Sequence, residues 1–132
     1  MKQALERAAI DGDVQVLEAL LDAGADIDSL DRYGQTALML AAVNGRAEAV
    51  DCLIRRGAAL DVAAKYNLSA LMLAIVSGHE AVALRLARAG ADVSRTGSGA
   101  PGVHGKTALD FARERGMDIV AAEIAARLPP GG

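Results

Sequence analysis

Apolar residues along this chain come in short bursts with helical spacing, and the bursts recur at a fixed interval. Val50, Leu53 and Ile54 follow i, i+3 and i+4, and Val82 and Leu86, at i and i+4, form the next burst, Leu86 standing one period after Leu53. Gly24-Ala25, Gly57-Ala58 and Gly90-Ala91 each close such a burst and stand 33 residues apart, then 33 again. A period of that size predicts a stack of similar small units.

Aligning on the glycines brings the rest into register. Thr36-Ala37-Leu38 falls over Ser69-Ala70-Leu71, Ala41-Ala42 over Ala74-Ile75, and Gly45 lies between Gly12 and Gly78. Leu53-Ile54 matches Leu20-Leu21 before it and Leu86-Ala87 after it. Each unit reads as two short helices. Thr36, Ser69 and Thr107 are hydroxyl residues placed to cap the first helix by accepting a backbone N–H. That helix stops at Gly12, Gly45, Gly78 or Gly116, and the second stops at the Gly-Ala pair. Gly34, Asn67 and Gly105, just before each cap, suit turn geometry. The last copy, Thr107-Ala108-Leu109 with Ala112 and Gly116, arrives five residues late. Gly97 to Pro101 supplies the extra length, as a Gly/Ser/Pro stretch without helical pattern. It reads either as a mobile binding finger or as a tolerated insertion.

The string Thr36-Ala37-Leu38-Met39-Leu40-Ala41-Ala42, then Gly45, then Leu53-Ile54 and Gly57-Ala58, resembles the ankyrin repeat. Gly78-His79 is similar to that family's Gly-His pair, and Thr107-Ala108-Leu109-Asp110 resembles the form found in closing repeats. The likeness spans about residues 4–128. It implies a single domain over 1–132: an all-α ankyrin-repeat solenoid of paired antiparallel helices with short β-turn or hairpin connections. Its units would cover about 1–30, 31–63, 64–96 and 97–128, the last carrying the insertion. Ala37, Ala70 and Ala108 replace the family's proline, and Met39 and Met72 its histidine. The turns therefore lack that histidine's hydrogen bond, a loosening change. Glu6 and Arg7 in the first unit, and Asp110, Arg113 and Glu123 in the last, put polar groups where a capping repeat has no neighbour. With Pro129-Pro130 at the end, the four units read as a complete short stack.

Composition narrows the options. Half the residues are hydrophobic, yet there is no Trp, one Phe and two Tyr, so alanine supplies much of the apolar content. That suits closely packed helices. A net charge of −3 gives no reason to expect nucleic acid or an anionic membrane as partner. No apolar run approaches the ~20 residues of a membrane span, and the start, Met1-Lys2-Gln3-Ala4-Leu5, lacks a signal peptide's apolar core. A lone cysteine, Cys52, fits a reducing, cytoplasmic setting.

Candidate chemistry is sparse. Ala100-Pro101-Gly102-Val103-His104-Gly105-Lys106-Thr107 matches a relaxed phosphate loop, but no buried strand precedes it and Gly34-Gln35-Thr36 shares its register. Cys52, His79 and His104 are too far apart for a zinc site, the nearest two standing 25 residues apart. No cofactor, metal or catalytic residue is expected. Cys52 aligns with Ala19, Arg85 and Glu123, which reads as a partly buried helix position.

What remains is binding. The resemblance implies contact through turn tips and the concave face of the first helices. By register this selects Arg32, Tyr33 and Gln35, then Lys65, Tyr66 and Leu68, then His104 and Lys106 on the tips. Ile10, Val43 with Asn44, Val76 with Ser77, and Glu114 with Arg115 follow at the helix ends. Tyr33 and Tyr66 lie one period apart, and tyrosine is enriched at interface hot spots; each could also simply pack on its neighbouring turn. With Arg32, Lys65 and Lys106 beside them, the expectation is a monomeric, non-catalytic scaffold for a protein partner with an acidic rim. A small inhibitor blocking an enzyme or toxin would use the same face.

Overall fold

The computed structural model describes residues 1–129; Pro130, counted above as part of the chain's end, lies outside them. Eight α-helices occur among the described residues. They are α1 (Lys2–Asp11), α2 (Val14–Asp22), α3 (Ala37–Val43), α4 (Ala47–Arg55), α5 (Ala70–Val76), α6 (Glu80–Arg88), α7 (Ala108–Glu114) and α8 (Asp118–Arg127).

They form two layers. In one, α1, α3, α5 and α7 pack in sequence; in the other, α2, α4, α6 and α8 do, and each odd helix packs on the even helix that follows it. Alanine makes the close layer contact possible: Ala9, Ala41, Ala42, Ala49, Ala74, Ala83, Ala87 and Ala112 are fully buried. Leu17, Leu53, Leu71, Leu86 and Ile124 fill the space between layers, and Phe111 lies among them at 3% exposure.

Helix ends obey local chemistry. Thr36 Oγ1 accepts the Met39 N–H at 3.2 Å and Ser69 Oγ the Met72 N–H at 3.2 Å. Thr107 completes a reciprocal capping box with Asp110. Both Thr36 and Ser69 are buried, and each hydroxyl satisfies one of the backbone donors that its helix start leaves without an intrahelical partner. The Gly-Ala beat is a helix stop. Gly57, at φ +87°, donates to Ile54 O, and Ala58 donates back to Leu53 O, both at 3.0 Å.

Neighbouring units are also stapled by polar groups in register. Arg46 Nε donates to Ile10 O, and His79 Nε2 donates to Val43 O, each at 2.9 Å. Both carbonyls belong to the last turn of a first helix, where intrahelical donors run out. Asp28 accepts the Ala59 N–H at 2.9 Å, and Asp61 accepts the Asp92 N–H at 2.8 Å, one period on. Among the described residues the turns form no named strand, only isolated bridges Thr96–Thr107 and Gly97–His104 in the fourth.

Candidate interaction cleft at the turn tips

The second and third turns rise side by side and enclose a cleft of about 530 Å³. Arg32, Tyr33 and Gln35 form one wall, Ala64, Lys65 and Tyr66 the other, and Leu68 and Leu73 the floor. Tyr33 is 71% exposed and Tyr66 38%. Each ring carries its neighbour's cation: the Arg32 guanidinium lies 5.9 Å from the Tyr33 centroid and the Lys65 ammonium 5.0 Å from that of Tyr66.

The two turns are supported differently. In turn two, Asp31 Oδ1 accepts from the Tyr33 N–H at 2.9 Å and the Gln35 N–H at 2.8 Å. Gly34 takes the positive φ there. Turn three has Ala64 in place of that aspartate and two successive left-handed residues, Tyr66 at φ 62° and Asn67 at φ 60°. For a residue with a bulky side chain this backbone costs roughly 1–2 kcal/mol, so something must hold it. The 97–101 stretch and the Thr96 that leads into it do so: Ser98 N donates to Tyr66 O, and Asn67 Nδ2 donates to Thr96 O, both at 2.9 Å. Gly97 N in turn donates to Lys106 O and Gly105 N to Gly97 O, closing the loop on itself at 2.9 Å. The stretch is thus docked on turn three as a buttress. Gly99 lies close enough to the Tyr66 ring that a Cβ there would touch it.

The remaining register-selected residues divide. Ile10 lines a second recess with Lys2, Gln3, Glu6, Asp31, Arg32 and Tyr33, so Arg32 and Tyr33 join the two hollows. Val43 and Val76 are half-buried on the first-helix layer. Asn44 and Ser77 are exposed, although Asn44 Nδ2 donates to Leu40 O at 2.8 Å. His104, Glu114 and Arg115 are exposed around the fourth turn, outside the cleft. Lys106 is not a free tip cation, since its Nζ lies 2.7 Å from Glu114 Oε2. The placement of Leu68 on the tip is a second correction: at 8% exposure it lies in the core and meets the cleft as part of its floor. Gln35 and Lys106 share its register seat and extend polar heads outward; leucine has no such head and turns in.

Cys52 is a third correction. It is fully buried, and its thiol donates to Glu18 Oε1 of the preceding unit at 2.9 Å. Burial, then the hydrogen bond to Glu18 and its charge, push the thiol up to about 11, against the lesser pull of Arg55 and Arg56. His79 is structural, as a carbonyl acceptor for Nε2 requires the proton on that nitrogen. Sequence reasoning missed Leu73 and Ala64 as cleft residues, and Lys2, Gln3 and Glu6 in the adjoining recess. Leu73 aligns with the buried Leu40 and Phe111, so register gave no signal for it.

Among known families, a model of ankyrin repeats in three copies matches residues 5–97. The chain belongs to the ankyrin repeat family. No curated protein matches its sequence significantly. The family match ends where the buttress begins, yet α7 and α8 continue the ankyrin layers by packing on α5 and α6. Ankyrin repeats are generally protein–protein interaction modules and typically not enzymes. No helix among the described residues is long and apolar enough to cross a membrane. No cluster of three metal-ligating side chains occurs among them either.

Proposed function

We propose that this ankyrin-repeat chain is a non-catalytic scaffold that holds a protein partner across the cleft between turns two and three. The adjoining first-helix face, with Ile10, Val43 and Val76, extends the contact. One observation carries the reading: Tyr33 and Tyr66 occupy the same register seat, remain accessible, and face a common cleft. Large apolar side chains exposed elsewhere, such as Val16, Leu30 and Ile119, line no part of it. Two rigid aromatic anchors over an apolar floor match the anatomy of an interface centre. The stapled stack keeps them in place before binding, which lowers the ordering cost of association.

Replacing Tyr33 and Tyr66 by alanine tests this. Capture of the partner should weaken by roughly tenfold or more, with helical circular dichroism and melting close to the parent's. Unchanged capture would remove the cleft from the interface.

A further inference from the structure

We infer that the cleft takes an acidic, extended segment of the partner chain, with carboxylates on Arg32 and Lys65 and one apolar side chain between them. This rests on the cleft being the binding site and names its occupant. The first support is charge accounting. Acidic residues outnumber Lys and Arg by 17 to 14 in the whole chain. The cleft reverses that balance: its lining holds two cations and no carboxylate.

Half of the other cations are answered from within. Arg56 pairs with Glu18 and Asp22, Arg85 with Asp51, Arg88 and Arg127 with Glu123, and Lys106 with Glu114. Neither Arg32 nor Lys65 makes such a pair among the described residues. Asp31, next to Arg32, already accepts two backbone N–H groups and belongs to the neighbouring recess. Each cation is instead held over a tyrosine ring, so part of the side-chain ordering that an ion pair demands has been met in advance.

Shape supplies the second support. Leu68 and Leu73 floor the cleft and would accept an apolar side chain, while Gln35 offers a carboxamide donor and acceptor for peptide backbone. Past Tyr33 the hollow continues into the recess, where Lys2 and Arg32 are balanced by Glu6 and Asp31. An elongated occupant thus meets net positive charge at one end and mixed charge at the other. The floor and rings favour a polypeptide over nucleic acid, whose phosphate backbone needs many more cations than two.

A random twelve-residue peptide library displayed on phage, panned on the full chain, tests the inference. The enriched peptides should carry Asp or Glu beside Leu, Ile, Met or Phe. The best of them, synthesised with a fluorescent label, should lose at least about tenfold in affinity on Arg32→Glu/Lys65→Glu. A matching peptide with lysine for its acids should bind that variant better than the parent. Arg32→Gln/Lys65→Gln guards against misfolding and should give a smaller loss in the same direction. Enriched peptides without acids, indifference to charge reversal, preference for a single-stranded oligonucleotide probe, or no enrichment would each overturn the acidic occupant. Tyr33→Ala/Tyr66→Ala separates the two levels. If it abolishes binding of a peptide that ignores charge reversal, the cleft stands and its acidic ligand falls; if it changes nothing, the cleft itself falls.

Discussion

Gly45→Ala tests how neighbouring units are fastened. Gly45 ends α3 at φ +70°, and a Cβ there would sit 2.7 Å from both Cε1 and Nδ1 of His79. The ring cannot yield freely, because its Nε2 donates to Val43 O at 2.9 Å. Two costs therefore combine: roughly 1–2 kcal/mol for a left-handed alanine, and roughly 0.5–1.5 kcal/mol for the displaced hydrogen bond. Gly57→Ala is the internal control. It has φ +87° but nothing within 4 Å of the added methyl, so only the backbone cost applies. Urea unfolding of both variants, monitored by circular dichroism, should place Gly45→Ala lower than Gly57→Ala by about 1 kcal/mol. In a His79→Ala background that gap should close, since the staple is already gone. Equal costs in the parent, or a gap surviving without His79, would refute the reasoning.

Two further predictions follow from the cysteine and the buttress. The Cys52 thiol is raised from 9.0 to about 11, so the fold favours its protonated form. Its contribution is full below pH 9.0 and is lost as pH rises toward about 11; the fall in stability over that window should be shallower in Cys52→Ala, read by denaturant midpoints at each pH. Deleting Gly97–Pro101 removes the donor to Tyr66 O while leaving the helices, so ligand affinity should fall with little loss of helical circular dichroism; unaltered affinity would show that the buttress does not position Tyr66.

The helical frame was legible because its causes are local. Thr36, Ser69 and Thr107 cap where hydroxyls should, the Gly-Ala pairs stop helices, and the shared seat of Tyr33 and Tyr66 followed from register alone. What escaped depends on packing and side-chain contacts that register does not specify. Cys52 looked half-exposed beside Ala19, Arg85 and Glu123, but Glu18, 34 residues earlier, covers it. Leu68 was read as a tip residue because Gln35 and Lys106 share its position, and only packing shows which way each side chain turns. Lys106 looked available until α7 brought Glu114 to it. The insertion's role was hidden because a Gly/Ser/Pro string specifies no partner, and its anchors, Tyr66 O and Asn67, lie in the preceding turn.

The stapling of the stack changes in kind after the third unit. Arg46 and His79 tie the first three units, but Met117 holds the matching position in the fourth and carries no donor. There the buttress and the Arg88–Glu123 pair make the tie to the third unit instead. The buttress under Tyr66 is strung between the fourth unit and turn three, so any opening of α7 and α8 that undocked it would also release one wall of the cleft. A ligand that needs Tyr66 in place would then slow the fraying of helices it never touches, by mass action alone. The last pair, beyond the family match, would report cleft occupancy at a distance.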